Sequence, residues 1–264
     1  MEKIVSRDGT PIAYHRRGAG PPLVLVHGTG AANPIAWTAV LPALEERFCV
    51  YALDRRGRGE SGDGVTYALD REFEDVAAVV DAAGEPANLL GHSFGGLCAL
   101  EAALLTRNVR RLVLYEPAIP FPGRPIYPAG LVDRLQRLLD AGDGEGAWTQ
   151  FMREAAMLAS HEIEQLKASP AWPARLGSAH TLPREMRAEE RYKFQPQRFQ
   201  DLNIPTLLLL GSETPDGTKE VSRTLDAALP DSRIAVMPGQ QHVAMYAAPD
   251  LFLDEVLAFL TGPG

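Results

Sequence analysis

The sequence predicts an α/β fold in which a mostly parallel, eight-stranded sheet carries helices on both faces. Short, wholly apolar runs, such as residues 23–26 and 50–53, have the composition of strands buried on both faces. Segments with helical periodicity lie between these runs, as at residues 70–83. Such alternation is typical of parallel strands joined by crossover helices.

The elements follow one another in a regular order along most of the chain. Residues 4–17 are predicted to form an antiparallel hairpin, because alternating residues flank the turn Asp8-Gly9-Thr10-Pro11. Buried strands are predicted at residues 23–26, 50–53, 88–91, 111–115, 204–210 and 233–236. Helices are predicted at residues 37–48, 70–83, 95–105, 219–229 and 250–260.

The alternation stops between residues 120 and 200, where no buried-strand pattern occurs. This part contains helical stretches at residues 131–141, 147–159 and 161–168, separated by proline and glycine. We therefore expect a core formed by residues 1–119 and 201–264, with residues 120–200 inserted as a helical cap.

The composition and charge of the chain disfavour some classes of function. The chain has 264 residues and a net charge of -8, which disfavours a general affinity for nucleic acid or for an anionic membrane. Its first residues lack the apolar stretch of a signal peptide, and no apolar run approaches the ~20 residues that span a bilayer. We expect a cytoplasmic monomer or homodimer whose partner is a small-molecule substrate, with its two cysteines buried as free thiols.

A candidate nucleophile follows the predicted strand at residues 88–91. Ser93 lies in the sequence Gly91-His92-Ser93-Phe94-Gly95, between that strand and an alanine-rich helix. A sharp strand-to-helix turn lifts the serine off the sheet edge, and the flanking glycines avoid collisions with neighbouring strands. The N–H groups at the start of the helix can then stabilise negative charge.

A serine nucleophile needs a general base, and His242 is the candidate among six histidines. It lies in the loop after the last predicted strand, which opens at the same carboxyl edge of the sheet as Ser93. The attack also needs N–H donors for the oxyanion. The N–H of Phe94 is one candidate, and the loop Gly28-Thr29-Gly30 offers the other, in first place through Thr29.

Four segments together resemble the α/β-hydrolase superfamily, in the subgroup with a helical cap that includes small esterases, lactonases and haloperoxidase-like enzymes. These segments are His27-Gly28-Thr29-Gly30, residues 54–61, Gly91-His92-Ser93-Phe94-Gly95-Gly96, and Pro238-Gly239-Gln240-Gln241-His242. The resemblance covers the chain outside the predicted cap. It implies that residues 54–61 form a structural crossover, so that neither Asp54 nor Arg58 is catalytic.

The third member of the triad is where the chain departs from this pattern. The family commonly has an aspartate three residues past a glycine after the strand that follows the cap, and here Thr214 occupies that place. Glu116 is the favoured substitute, because it ends the strand next to the nucleophile strand and some relatives carry their acid there. Glu213 is the second alternative and Asp216 the third.

These residues predict a serine hydrolase that forms an acyl-enzyme on a mid-sized, fairly hydrophobic ester or lactone, without a cofactor or metal. A carbon–carbon bond hydrolase with the same triad, perhydrolase or haloperoxidase side activity, and a non-catalytic ligand receptor are the alternatives. Large apolar side chains are candidates for lining the substrate pocket, although most are expected to pack within the cap: Trp37, Phe121, Trp148, Phe151, Met152 and Trp172.

Overall fold

The computed structural model describes residues 1–30, 35–120, 123, 125–158 and 160–262. Its sheet has eight strands in the order β1-β2-β4-β3-β5-β6-β7-β8. The first strand pairs antiparallel with β2, β2 pairs antiparallel with β4, and all other neighbours are parallel. The strands are β1 Glu2–Val5, β2 Pro11–Arg17, β3 Pro22–Val26, β4 Cys49–Leu53, β5 Ala87–His92, β6 Val109–Tyr115, β7 Thr206–Gly211 and β8 Ser232–Met237. The predicted fold class is confirmed.

Helices cover both faces of the sheet because the central strands are apolar on both faces. Successive residues of a strand point to opposite sides, so Val24 and Val26 join one buried cluster while Leu23 and Leu25 join the other. Helices α2, α3 and α9 pack on the first face, and α1 and α11 pack on the second. Their bounds are α1 Leu41–Glu45, α2 Leu69–Ala82, α3 Phe94–Ala102, α9 Asp216–Ala228, α10 Ala244–Ala247 and α11 Pro249–Thr261.

Between β6 and β7 lies the part that we call the helical segment, residues 120–200. Its described residues contain helices and no strand. Its apolar side chains, among them Leu135, Trp148 and Met186, form a separate buried cluster. The helices are α4 Leu131–Asp140, α5 Gly144–Glu154, α6 Ser160–Lys167, α7 Trp172–Gly177 and α8 Thr181–Arg191, followed by a short 3-10 helix at Pro196–Phe199.

The helices predicted at residues 37–48 and 147–159 differ from the structure in length and in starting position. The predicted helix at residues 37–48 is a 3-10 turn at Ile35–Trp37 followed by the five-residue α1, which has Pro42 in its first turn. Helix α5 begins three residues before the predicted position, because Asp143 accepts a hydrogen bond from Gly146 N at 2.7 Å as its N-cap. It ends at Glu154, before Met157, whose positive φ of 57° belongs to the left-handed region.

Both cysteines, Cys49 and Cys98, are buried free thiols. Across the described residues, we find no helix whose length and apolar character would let it cross a membrane.

Candidate active site

Ser93 forms the turn between β5 and α3 in a backbone conformation that L-residues rarely adopt, with φ 55° and ψ -123°. The neighbouring strand stabilises this turn. Ser93 N donates to the Tyr115 carbonyl at 3.0 Å, and the Ser93 carbonyl accepts from Ala118 N at 3.0 Å and from Gly96 N at 2.8 Å. The serine is therefore fixed at the carboxyl edge of the sheet, beside the end of β6.

The glycines around Ser93 are required by close backbone contacts. A Cβ atom on Gly95 would collide with the carbonyl oxygens of Val26 and His27, where β3 ends. A Cβ atom on Gly28 would lie 2.9 Å from the Ser93 Cβ. The loop after β3 thus passes directly against the serine, as the sequence pattern predicts.

Glu116 and His242 meet at the same edge of the sheet. The distance between His242 Nδ1 and Glu116 Oε2 is 2.7 Å. The other carboxylate oxygen, Oε1, accepts from Gly211 N at 3.0 Å and from the Thr214 hydroxyl. Glu116 is buried, whereas the His242 side chain is 45% exposed. Thr214, at the place of the family's usual acid, therefore donates a hydrogen bond to the carboxylate that reaches the histidine.

The two alternative carboxylates do not reach His242. Glu213 is exposed and accepts from its neighbour Ser212 at 3.0 Å. Asp216 is exposed at the start of α9, 3.9 Å from the Lys219 ammonium. Of the three carboxylates considered from the sequence, the structure brings Glu116 alone to the histidine ring.

The pKa of Glu116 reflects two opposed effects. Burial alone raises the pKa of this carboxyl, but the hydrogen bonds from His242, Thr214 and Gly211 outweigh burial and hold it below the ordinary value. The carboxylate is therefore ionised at neutral pH. Its own backbone has a positive φ of 43°, and Pro117 then leads the chain away from the sheet.

Two further side chains hold the loop that carries His242. His92 Nε2 lies 2.8 Å from the His242 carbonyl oxygen, and the two imidazole rings are 4.6 Å apart. Burial and the nearby His242 lower the pKa of His92 well below its ordinary value, so His92 is neutral and its Nε2–H donates this bond. The Tyr115 hydroxyl donates to the Gln241 carbonyl and accepts from Ala244 N at 2.9 Å.

The sequence positions of His92 and Tyr115 could have indicated these contacts, although neither residue belongs to a catalytic motif. His92 directly precedes the nucleophile, and Tyr115 directly precedes the acid. Both side chains sit at strand ends that meet at one sheet edge, so contacts with the histidine loop follow from the topology.

The family model for the alpha/beta hydrolase family matches residues 23–255. The chain belongs to the alpha/beta hydrolase family. It is 28% identical over 94% of its length to a pimeloyl-[acyl-carrier protein] methyl ester esterase from Aeromonas hydrophila, of which 99% is covered. It is 35% identical over 64% of its length to an N-formylmaleamate deformylase from Pseudomonas putida, of which 63% is covered.

A solved structure gives the same result for the fold. The crystal structure of an alpha/beta hydrolase from Sphaerobacter thermophilus has a TM-score of 0.84 and 34% identity, with 98% of this chain and 100% of that chain covered. The chain is thus an enzyme of the hydrolase class, with relatives that include a named esterase and a named deformylase.

The candidate oxyanion donors of this alpha/beta hydrolase lie on either side of Ser93. Phe94 is the first residue of α3, and Thr29 follows Gly28, which contacts the serine. Neither backbone N–H donates a hydrogen bond to another described residue. Among the described residues, no acceptor therefore competes for these two N–H groups with an oxygen atom bound beside Ser93.

Beside these donors lies a group of buried charges that we call the ionic cluster: Arg55, Arg58, Glu72 and Glu185. Arg55 contacts Glu72 at 2.9 Å and Glu185 at 3.2 Å, while Arg58 contacts Glu185 at 2.5 Å. The Arg55 guanidinium also lies 4.1 Å from the centre of the Phe94 ring. Since Glu185 belongs to α8, the cluster joins the helical segment to the core of this hydrolase.

The ionic cluster also contacts the loop Gly28-Thr29-Gly30, which contains the candidate oxyanion donor Thr29. The Thr29 hydroxyl donates to Glu185 at 3.2 Å. Burial alone raises the pKa of Glu185, but Arg55 and Arg58 outweigh it and lower the pKa. An ionised carboxylate from the helical segment thus accepts a hydrogen bond from the residue whose N–H is a candidate oxyanion donor.

Two of the six candidate pocket residues contact Gly30, next to the candidate oxyanion donor Thr29. The Trp148 and Phe151 rings pack so tightly against Gly30 that a Cβ atom there would collide with them. Met152 and Trp172 are buried inside the helical segment. Trp37 packs in the cluster between the sheet and α11, and Phe121 lies outside the described residues.

Proposed function

We propose that this alpha/beta hydrolase cleaves the carboxylic ester or lactone bond of a mid-sized, fairly apolar molecule through a covalent acyl-enzyme. The observation that carries the proposal is the 2.7 Å contact between Glu116 and His242, at the sheet edge where the strained turn presents Ser93. A carboxylate, an imidazole and a serine in this arrangement are the parts of nucleophilic acyl transfer.

Each side chain has one task in the proposed reaction. Ser93 Oγ attacks the acyl carbon while His242 Nε2 accepts its proton. Glu116 accepts a hydrogen bond from His242 Nδ1–H, which leaves Nε2 as the unprotonated nitrogen and stabilises the imidazolium that forms. The N–H groups of Phe94 and Thr29 stabilise the negative charge on the carbonyl oxygen.

The tetrahedral intermediate then collapses. His242 donates its proton to the leaving oxygen, and the acyl group stays on Ser93 as an ester. Water attacks this ester with His242 again as the base, and the acid product leaves with the original Ser93 hydroxyl restored. The Ser93 hydroxyl makes no hydrogen bond to another described residue, and a bond from nucleophile to base often forms only when substrate binds.

The surroundings of the site support a fairly apolar substrate. Trp148 and Phe151 place an aromatic wall on the oxyanion loop, and they belong to the helical segment that we propose as a cap. The esterase and deformylase relatives are both named for breaking a bond to a carbonyl carbon, one to oxygen and one to nitrogen. Acyl transfer is the chemistry that these names share.

A panel of esters and lactones of graded acyl length tests the proposal, with Ser93→Ala as the control. We expect hydrolysis of at least one class, and a fall of about 10³- to 10⁶-fold in kcat for the variant. A fluorophosphonate probe should label Ser93 in the native enzyme and leave Ser93→Ala unlabelled. A native enzyme that is unlabelled and does not turn over any ester would contradict the proposal, and turnover of ring-cleavage diketones alone would favour the carbon–carbon hydrolase.

A further inference from the structure

Arg175 places a guanidinium between the two loops that we assign to catalysis. This residue of α7 donates from Nη1 to the Gly30 carbonyl at 2.7 Å, directly after the candidate oxyanion donor Thr29. Its side chain also interacts with Tyr246, four residues after His242. The guanidinium lies 6.0 Å from the centre of the Trp148 ring, whose Nε1 donates to the Arg175 carbonyl at 2.5 Å.

No carboxylate among the described residues pairs with Arg175. Its Nε is buried without a hydrogen-bond partner, and its known contacts are a carbonyl oxygen, a phenol and an indole ring. Burial lowers the pKa of this guanidinium, and the contact with Tyr246 opposes the effect without cancelling it. A desolvated cation is unfavourable unless an anion compensates it.

The contrast with Arg55 shows that this arrangement is specific to Arg175. Arg55 is completely buried and contacts two carboxylates. Arg175 is only half-buried, so part of its side chain remains exposed to solvent. No described residue supplies a carboxylate to compensate the buried part of this charge, so an anion from outside the described chain would complete the contacts of Arg175.

We propose that Arg175 binds a carboxylate of the substrate, so that the preferred substrates are esters or lactones that carry a carboxylate near the scissile bond. This inference rests on the function proposed above and narrows its substrate class. A planar guanidinium matches a carboxylate with two parallel hydrogen bonds. The position of Arg175 limits the distance between the scissile bond and the carboxylate of the substrate. Arg175 donates to Gly30, which is two residues from Gly28 beside Ser93, and two residues span at most about 7 Å.

Matched pairs of half-esters test this site. Mono(4-nitrophenyl) esters of succinate, glutarate and adipate carry a free carboxylate, and their methyl 4-nitrophenyl counterparts are neutral with the same chain. We expect the native enzyme to prefer at least one anionic ester over its neutral partner in kcat/KM. Arg175→Met should lower the anionic-to-neutral ratio of kcat/KM by about 10- to 100-fold, whatever the variant does to the neutral ester.

Two control variants separate recognition from general charge. Arg137→Met removes an exposed arginine from α4 of the same helical segment, and it should leave the anionic-to-neutral ratio unchanged. Arg175→Lys keeps the charge without the planar fork and should recover part of the preference. If Arg175→Met does not fold, inhibition of neutral-ester hydrolysis of the native enzyme is compared for glutarate and for neutral glutaramide, and glutarate should inhibit more strongly.

The outcomes distinguish the two proposals. Equal losses for anionic and neutral esters in Arg175→Met, equal inhibition by glutarate and glutaramide, or no preference for a carboxylate in the whole series would overturn the Arg175 inference. Neutral esters would then still be hydrolysed, and Ser93 would still be labelled. A native enzyme that is not labelled at Ser93 and hydrolyses no ester would instead overturn the proposed function.

Discussion

Two regions of this hydrolase bury a glutamate beside a basic side chain, and they differ in the partner. Glu116 contacts His242, whose side chain is 45% exposed. Glu185 contacts Arg55 and Arg58, whose side chains are completely buried. In both regions the partner outweighs the effect of burial and lowers the pKa of the carboxyl.

The difference in partner indicates different roles for the two glutamates, a chemical one for Glu116 and an architectural one for Glu185. An arginine does not release its proton at any ordinary pH, so the ionic cluster stays charged and holds α8 on the core. A histidine gains and loses a proton near neutrality, and an exposed ring can exchange that proton with a substrate. We therefore propose that the buried Glu116 serves catalysis because its partner is a histidine, whereas the buried Glu185 serves architecture because its partners are arginines.

The largest expected effect comes from removing the charge at Glu116. Glu116→Gln should lower kcat for ester hydrolysis by about 10³- to 10⁴-fold, because the imidazolium loses its counter-charge and the ring loses its fixed tautomer. Steady-state kinetics on the best ester of the panel measures this loss. Glu213→Gln is the matched control and should stay within about twofold; a larger loss in this variant than in Glu116→Gln would reverse the assignment.

The next effect is on stability, at the ionic cluster. Glu185→Gln should lower the free energy of unfolding by about 3–5 kcal/mol, because it leaves Arg55 and Arg58 buried without full compensation. Urea denaturation measures the change. Glu154→Gln removes a partly exposed ion pair with Arg134 on the same helical segment and should cost about 0–1 kcal/mol. A Glu185→Gln enzyme of native stability but without activity would break the comparison.

The third effect, which accumulates gradually with pH, concerns Glu189, one turn after Glu185 on α8. Burial raises the pKa of Glu189 to about 8, against the hydrogen bond that it accepts from the Tyr127 hydroxyl. The folded state therefore holds a proton that the unfolded state releases above the ordinary value of 4.5. The stability from this group is complete below about pH 4.5 and is lost as the pH rises through 8.

Denaturation curves at pH 5 and pH 8 test whether Glu189 makes the stability fall as the pH rises. The native enzyme should lose stability over this interval by up to about 1.4 kcal/mol for each pH unit, and Glu189→Gln should lose less. Glu185 has the opposite sign, since its lowered pKa makes its contribution disappear only as the pH falls below the unfolded value. Identical pH slopes in the native enzyme and in Glu189→Gln would contradict the assignment.

The sequence predicts the sheet, the Ser93 turn and the position of the histidine loop, because each depends on local periodicity and on glycines that neighbouring backbones require. The identity of the acid stays open at that level. Only the pairing of β6 with β5 and β7 brings Glu116, and not Glu213, to His242. The donor role of Thr214 follows from the same pairing.

Much of the helical segment escapes sequence-based prediction for a different reason. Helix α7 is six residues long and contains Pro173, so it shows no periodic pattern. Helix α8 buries Glu185 and Glu189 on the face where apolar residues are expected, which conceals its amphipathic character. The contact between Arg55 and Glu185 spans 130 residues of sequence, and no local pattern indicates it.

The place of Glu116 in the chain order has a consequence for how this enzyme assembles. Ser93 and Glu116 both belong to one continuous strand–helix–strand unit, residues 87–116, and the helical segment follows them. An acid after β7 would instead be separated from the serine by that whole insertion. In this chain, nucleophile and acid can reach their relative positions by local folding, before the insertion is made. An exchanged insertion would have to do more than allow the approach of His242, because it would also have to supply a partner for Arg55 and Arg58 in place of Glu185.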